Sequence, residues 1–571
     1  MKRILKYLSP FSKQIAFGLF IKSSATVMEL LLPWLLAYVI DTIIPTANIS
    51  MVFLYGFYML VSSGLALYGN VTANRLAAKI SSDAIENLRN DSYQKIMSFS
   101  NRSADQFTIP SLISRMTSDT YHIYRMFNVI QRIGIRAPIL LLGSIVMMLF
   151  IDQFLAFVLI ALLPVITIVV IYISKVSIPY YDRLQNSLDQ LIRVVRENIT
   201  GIRVIKALAK ENFEKDKFKH VNDDVSKREK TAGYIIALLN PLMNLILNLG
   251  LVVIVYIGAS RVIDGLSKSG SIIAFLSYFG LILNSFLAIN RIFLLFSRAN
   301  ASANRINEIL DLNDTLVKIN KSLKQIEDHI QFNQVNFSYN QTKNDIDNIS
   351  FKIKRHSTFG IIGSTGSGKS TIAQLLLRFY ELDSGEILID GQDIRSFDVN
   401  ELRRKFGVVF QQDVLFSLSV KDNIQFGREM DFDSVIDAVD LAQARSFVEQ
   451  LSDKYDEKVL RQGANFSGGQ KQRMLIARAL ANNPEIIILD DASSALDYKT
   501  DADLRAAIKH HSNATTILIA QRISTVINAD CILVIEDGKM IGLGTHQELA
   551  QNCELYKELI QLQLGEQTYE S

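Results

Sequence analysis

The run Gly363-Ser364-Thr365-Gly366-Ser367-Gly368-Lys369-Ser370-Thr371 has the pattern G-x-x-x-x-G-K-[ST]. Glycines at such positions let successive backbone N–H groups close around phosphate oxygens. The Lys369 ammonium can then reach the β- and γ-phosphates of a nucleoside triphosphate, and the Ser370 hydroxyl can reach Mg2+. The flanks fit this reading. The β-rich run Phe359-Gly360-Ile361-Ile362 precedes the loop, and a helical run over 371–379 follows it. Phosphates held there rest on a helix N-terminus, where unpaired N–H groups and the helix dipole favour negative charge. The competing reading is an ordinary glycine-rich turn.

The elements that must position this loop divide the chain sharply. Its 571 residues allow roughly two to four domains. Hydrophobic residues make up 49% and charged residues 20%, with a mean hydropathy of +0.19, a balance that leans toward a membrane protein. The net charge is only +3, and no basic tail or interleaved aromatic–basic run is present, so nothing points to nucleic acid. The two cysteines, Cys531 and Cys553, have no metal-binding or redox spacing and read as reduced thiols. No cleavable signal peptide is visible. Met1–Gln14 is basic with apolar Ile4, Leu5, Leu8 and Phe11, which suits a short helix lying in the membrane interface.

Runs of about 20 mostly apolar residues are candidate spans. Six occur, at roughly 15–41, 52–73, 134–151, 154–175, 233–262 and 271–296, the third and fourth joined by a tight turn at Asp152-Gln153. Long charged helical stretches, 74–133 and 176–232, separate the second from the third and the fourth from the fifth. Both are rich in Lys and Arg while 42–51 has none, so the positive-inside tendency puts them and both termini in the cytoplasm. A stand-alone soluble ATPase is excluded. The boundaries expected are a transmembrane domain over 1–305 with two cytoplasmic coupling regions, a polar linker over 306–328, and a soluble α/β domain over 329–571.

Polar residues inside spans are costly, so each calls for a reason. Asn240, Asn244 and Asn248 recur every four residues on one face of the fifth span, and Asn284 and Asn290 lie in the sixth. Lys22 and Glu29 are seven apart on the first span and could share a face. Two readings stay open: a polar wall around a substrate cavity, with Glu29 in a substrate or ion role, or hydrogen bonds that hold the bundle together.

Further motifs now join the phosphate loop. They are Val335-Asn-Phe-Ser-Tyr339, Val408-Val-Phe-Gln411-Gln412, Phe466-Ser467-Gly468-Gly469-Gln470, Ile486-Ile-Ile-Leu-Asp490-Asp491, Ser494-Ala-Leu-Asp497 and Thr516-Ile-Leu-Ile-Ala-Gln521. With the six spans, the set resembles an ATP-binding cassette (ABC) exporter half along essentially the whole chain. The fold class this implies is multi-domain, an all-α six-helix transmembrane domain fused to an α/β P-loop nucleotide-binding domain.

The resemblance implies a role for each position. Tyr339 matches the aromatic that stacks on adenine, which needs only a flat π-face. Gln411 matches the glutamine that contacts Mg2+ or the attacking water. Asp490, at the end of a buried strand, would hold Mg2+ through its shell. Ser467, Gly468, Gly469 and Gln470 match the signature, which in this family closes over ATP held by the opposite domain of a head-to-tail dimer. Phe466 replaces the usual Leu, a mild change. Ser111–Asp119 resembles the first coupling segment of such exporters and Asn198–Leu208 the second.

Two positions depart from the family pattern. Asp491 stands where Glu polarises the attacking water, and Gln521 stands where the switch histidine belongs. A carboxylate one methylene shorter loses about 1.5 Å of reach, and a base must come within hydrogen-bond distance of the water. An amide cannot become cationic beside the γ-phosphate. Both departures fall at the residues nearest the water, which implies a site that binds ATP and hydrolyses it poorly. The intact signature then implies a different partner chain with the proper Glu and His, as in heterodimeric bacterial multidrug exporters. The expected function is ATP-driven export of amphiphilic, drug-like molecules across the plasma membrane, with ATP and Mg2+ as cofactors. The alternatives are a lipid or lipopeptide flippase and a nucleotide-binding regulatory half with no hydrolysis of its own.

Overall fold

The computed structural model describes residues 1–571 other than 313–317, 320, 341, 494, 512 and 565–571. Some side chains within helices also lie outside the described residues, those of Asn240 and Asn290 among them. The chain forms two compact units, Met1–Lys95 with Ile109–Asp311, and Ile96–Thr108 with Leu312–Ser571.

The first unit is helical. Its long helices are Ser12–Tyr38, Ile49–Met97, Arg136–Ile151, Gln153–Thr200, Glu211–Ala237, Leu239–Ile263 and Ser269–Asp311. At 1.5 Å per residue, the helix Ile49–Met97 is about 73 Å long, more than twice the hydrocarbon thickness, so it both spans and extends. Among the described residues, five helical stretches are long and apolar enough to cross a membrane: Lys2–Thr46, Ile49–Met97, Ile109–Ile151, Asn244–Ile263 and Ser269–Asp311. The remaining expected span, 154–175, is part of the continuous helix Gln153–Thr200, and several of its side chains lie outside the described residues. The turn before that helix is capped by Asp152, whose carboxylate accepts the Phe154 and Leu155 N–H groups at 3.0 and 3.2 Å.

Leu30, Leu140, Met148, Leu155, Leu159, Ile254, Phe275 and Phe279 form the bundle core. Gly69 lets two helices approach closely, because a Cβ there would stand 2.9 Å from the Ala25 Cβ. A second cluster gathers Ile85, Leu88, Phe127, Ala303 and Ile306 around Ile4. Ile4 has no exposed surface. The N-terminal segment expected at the membrane interface is therefore anchored in this cluster.

Ser111–Asp119 belongs to this helical unit and not to the nucleotide-binding one. Asp119 is fully buried and accepts from Ser302 Oγ at 2.8 Å and Arg305 Nε at 2.9 Å, while Arg115 pairs with Glu308 at 2.7 Å. Charges buried this deeply stay charged only when paired, so the segment is tied to the helix Ser269–Asp311.

The second unit holds two sheets. The strands are β1 (Ile330–Phe337), β2 (Ile346–Ile353), β3 (Thr358–Gly363), β4 (Ser384–Ile389), β5 (Gln392–Asp393), β6 (Phe406–Val409), β7 (Ile486–Asp490), β8 (Thr515–Ala520), β9 (Cys531–Glu536) and β10 (Lys539–Gly544). One sheet has the order β2-β1-β4-β5 and is antiparallel; the other runs β10-β9-β3-β8-β7-β6. In the second, β9, β3, β8, β7 and β6 are parallel and β10 is antiparallel to β9. Parallel strands are covered on both faces, which is why β7 (Ile-Ile-Ile-Leu-Asp) and β8 read as apolar runs without alternation.

The helix Asn101–Asp105 also lies in this unit. Ser100 caps it, the Asn101 N–H donates to the Phe379 carbonyl at 3.3 Å, and Tyr380 Oη donates to Asp105 at 2.6 Å. The segment 96–108, between the second and third spans and upstream of the Ser111–Asp119 run that the family pattern points to, is thus part of the nucleotide-binding unit.

Candidate functional site

Three neighbouring strands deliver the chemistry to one edge. In the order β3-β8-β7, Ile362 pairs with Ala520 and Ile519 with Asp490. The C-terminal ends of these strands therefore release Gly363, Gln521 and Asp491 side by side. Ligands of open parallel sheets bind at this edge.

A cavity of about 310 Å³ lies there, lined by Tyr339, Asp345, Thr365, Gly366, Gly368, Lys369, Ser370, Thr371, Gln411, Asp490, Asp491 and Gln521, with Ile519 and Ala520 as its floor. Gly368 sits at φ +101°, which only glycine adopts without strain, and the helix Lys369–Leu376 starts directly after it. Lys369 is 7% exposed and its ammonium donates to the carbonyls of Gly363 and Ser364 at 2.9 and 2.6 Å. Burial pushes its pKa down, opposed by Asp490 and Asp491. Burial pushes the Asp490 carboxyl up and its bond from the Ser370 hydroxyl pulls it down, with a net rise. The Ser370 hydroxyl, the Asp490 carboxylate and the Gln411 amide oxygen are hard oxygen donors, the set that Mg2+ takes. The Ser370–Asp490 bond already brings two of them together. Bound there, the ion would neutralise charge between the β- and γ-phosphates.

Tyr339 is another wall of the cavity. Its ring is edge-on to Phe337 at 4.9 Å and to Tyr380 at 5.1 Å. Its hydroxyl meets Gln374 Oε1 at 2.6 Å and Thr371 Oγ1 at 3.2 Å, and Asp345 accepts the Tyr339 N–H at 2.9 Å. Neither Asp345 nor Gln374 stood out in the sequence, because no motif marks an acid or amide at these positions.

Asp491 lies in left-handed backbone at φ +51°, its N–H given to the Ile519 carbonyl at 2.8 Å. Asp tolerates this conformation better than most residues because its short polar side chain can bond locally. Gln521 begins a turn held at both ends by one side chain. Gln563, on the helix Glu554–Leu564, donates to the Gln521 carbonyl at 2.9 Å and accepts the Ile523 N–H at 2.8 Å. This clamp also escaped sequence reading, since it joins positions 42 residues apart.

Ser467, Gly468, Gly469 and Gln470 line no part of this cavity. They form a capping box at the start of the helix Gly468–Leu480, with Ser467 and Gln470 exchanging bonds at 3.3 and 2.9 Å. A Cβ on Gly469 would stand 3.2 Å from the Ala495 carbonyl oxygen, so Ala495 and Leu496 run close against the signature. Ser494 itself lies outside the described residues. Gly363, Ser364 and Ser367 support the phosphate loop without lining the cavity.

In the helical unit, Glu29 is engaged on both oxygens. Asn70 Nδ2 donates to one at 2.8 Å, and Arg136 Nε and Nη2 donate to the other at 3.2 and 2.9 Å. Lys22 Nζ donates to Asn70 and Asn74 at 2.6 and 3.0 Å. Glu29 and Lys22 thus belong to an interhelical network. Asn244, Asn248 and Asn284 are exposed, and Asn248 borders a largely apolar groove of about 720 Å³ with Leu251, Val255 and Tyr256. The side chains of Asn240 and Asn290 lie outside the described residues.

Comparison with known proteins agrees with this architecture. The family model of the ABC transporter transmembrane region matches residues 15–286, and that of the ABC transporter matches 346–494. The uncharacterized ABC transporter ATP-binding protein YfiB of Bacillus subtilis is 33% identical over the full length of both chains. The uncharacterized ABC transporter ATP-binding protein Rv1273c of Mycobacterium tuberculosis is 32% identical over 97% of this chain and 96% of its own. The structure of a bacterial Atm1-family ABC exporter with ATP bound superimposes with a TM-score of 0.80 at 23% identity, over 96% of this chain and 98% of that one, which is a likeness of fold. The chain therefore belongs to the ABC transporter family, as a half-transporter that fuses an exporter-type transmembrane region to a domain coupling ATP hydrolysis to transport.

Proposed function

We propose that this chain is the degenerate-site half of a heterodimeric ABC exporter. Its own site binds ATP with Mg2+ through Tyr339, Lys369, Ser370, Gln411 and Asp490, and Asp491 and Gln521 leave that site slow to hydrolyse. Its signature, Ser467 to Gln470, completes a competent site on a different partner chain, and hydrolysis occurs mainly there. The transported molecule is a small amphiphile of drug-like chemistry leaving the lipid bilayer. The nucleotide-binding domain and both termini face the cytoplasm, with the spans in the plasma membrane.

The observation that carries this reading is that Asp491 and Gln521 border the same cavity as Lys369 and Asp490. The short carboxylate and the uncharged switch residue therefore bear on one ATP. Two further features support a partner. The signature lines no part of its own cavity, and Ile199, Ile202, Val204 and Leu208 in the second expected coupling segment are exposed apolar residues that need cover.

The test is Ser467→Ala or Gly468→Asp in this chain, co-purified with its partner. The reading requires ATP turnover by the assembled pair to collapse although this chain's own phosphate loop is intact. Unchanged turnover would assign the chain a regulatory role instead.

A further inference from the structure

We propose that His329, Asp390 and Glu485 form a binding site for a divalent transition metal, Zn2+ foremost, on the nucleotide-binding domain at the edge opposite the ATP site. One ring nitrogen of His329 and one carboxylate oxygen from each acid lie within 4.8 Å of one another. His329 is 1% exposed, and its Nε2 is buried with no hydrogen-bond partner. That atom faces Asp390 Oδ2 at 3.9 Å, too far for a hydrogen bond. A buried ring nitrogen without a partner is costly, and a metal ion between it and two carboxylates satisfies it.

The backbone holds the three residues in place. His329 precedes β1 and gives its N–H to Ile353 O at 2.9 Å, and Asp390, in the turn after β4, gives its N–H to His329 O at 2.9 Å. Glu485 precedes β7, and its carbonyl accepts the Thr515 N–H at 2.9 Å. Thr515 Oγ1 lies 2.7 Å from His329 Nδ1 and accepts the His356 N–H at 3.0 Å. With Nδ1–H donating to Thr515, the Nε2 lone pair points at the carboxylates, the outer-shell arrangement usual for metal-bound histidine. The ion would join the antiparallel sheet to the parallel one at the N-terminal ends of β7 and β8, a strand length of about 17 Å from the phosphate loop.

Tetrahedral Zn2+ with bonds of about 2.0–2.1 Å sets its ligands about 3.4 Å apart. The acids must therefore move inward by less than about 1.5 Å. Both side chains are exposed enough to do so, at 41% for Asp390 and 45% for Glu485. Arg355 occupies only Asp390 Oδ1, leaving Oδ2 for the ion. Lys405 takes both Glu485 oxygens, at 2.8 and 2.9 Å, and must share one. Surface pairs of this kind hold weakly. One imidazole and two carboxylates suit Zn2+ or Mn2+, with water completing the sphere.

The full chain in detergent, stripped with a chelator, is titrated with Zn2+ by calorimetry, and its Tm is followed with and without the ion. The wild type should bind with a Kd in the micromolar range or tighter and gain Tm. The surface double variant Asp390→Asn with Glu485→Gln, checked for folding by its ATP affinity, should lose about ten-fold or more in Zn2+ affinity together with the Tm gain. His329→Gln should do the same, and the double variant decides the matter if His329→Gln fails to fold. No saturable binding by the wild type, or equal binding and an equal Tm gain in the double variant, overturns the proposal.

Discussion

Lengthening the side chain at 491 tests the degenerate-site reading at its weakest atom. The Asp491 backbone is pinned, at φ +51° with its N–H held by the Ile519 carbonyl at 2.8 Å, so side-chain length alone sets how far the carboxylate reaches. Asp491→Glu adds one methylene, about 1.5 Å of reach. Misplacing a catalytic group by about 1 Å can cost about 100-fold in rate, or about 2.7 kcal/mol of barrier. Glu fits left-handed backbone less well than Asp, but that strain is common to ground and transition states. It therefore appears as a Tm lower by a few degrees and not in turnover. The assay is ATP turnover of the chain reconstituted at two copies per nanodisc, for wild type, Asp491→Glu and Asp491→Asn. Turnover should rise on the order of 100-fold with Glu, stay low with Asn, and leave ATP affinity unchanged, because Tyr339 and Lys369 are untouched. A Glu variant that binds ATP normally and turns over no faster would refute the argument from reach.

Three other outcomes follow from the same geometry. Tyr339→Ala should weaken ATP binding about five-fold or more by calorimetry, since aromatic–base stacking is worth about 1–3 kcal/mol; Tyr339→Phe, which keeps the ring, should bind nearly as wild type. Burial pushes the Asp393 carboxyl up, but bonds from Arg395 and Lys321 outweigh it and bring the pKa down to about 2. Its stabilising contribution, about 2 kcal/mol, is thus complete above about pH 4 and lost as pH falls through about 2, and Asp393→Asn should remove that acid-side dependence from a Tm–pH series while lowering Tm at pH 7. Tyr380→Phe deletes the 2.6 Å bond to Asp105, so amide hydrogen exchange over 99–107 should quicken while ATP affinity holds; unchanged exchange would mean that this bond does not dock the segment.

Sequence reading reached furthest where chemistry and local structure coincide. Asp490, Asp491 and Gln521 sit within a residue of a strand end, Lys369 and Ser370 open the helix that follows the loop after β3, and strand ends in a parallel sheet share one edge. The phosphate-loop pattern marks Lys369 and Ser370, a buried strand ending in an acid marks Asp490, and the family pattern marks Asp491 and Gln521. Tyr339 was found by pattern, but the acid that fixes its backbone, Asp345, was not, because one Asp in a loop carries no periodicity. The coupling region is a related case, since 96–108 belongs to the nucleotide-binding unit without any motif to mark it. Ser111–Asp119 is charged and amphipathic, as a docking helix is, and within the helical unit Asp119 meets Ser302 and Arg305 while Arg115 meets Glu308, all far along the chain. The segment within the nucleotide-binding unit, 96–108, is short and plain in composition. Spacing along the first span leaves Glu29 open to a cavity role or an interhelical one, and its bonds from Asn70 and Arg136, on other helices, are invisible to that spacing. Partners that are remote in sequence decide such cases, and spacing along one helix cannot supply them.

The most direct test of the asymmetric machine is ATP turnover of this chain purified alone in lipid nanodiscs, set beside the same chain co-purified with its partner. The account predicts negligible turnover alone and turnover on the order of 1 s⁻¹ or more for the pair. Comparable turnover by the lone chain would contradict it, because Asp491 would then be serving as an adequate base.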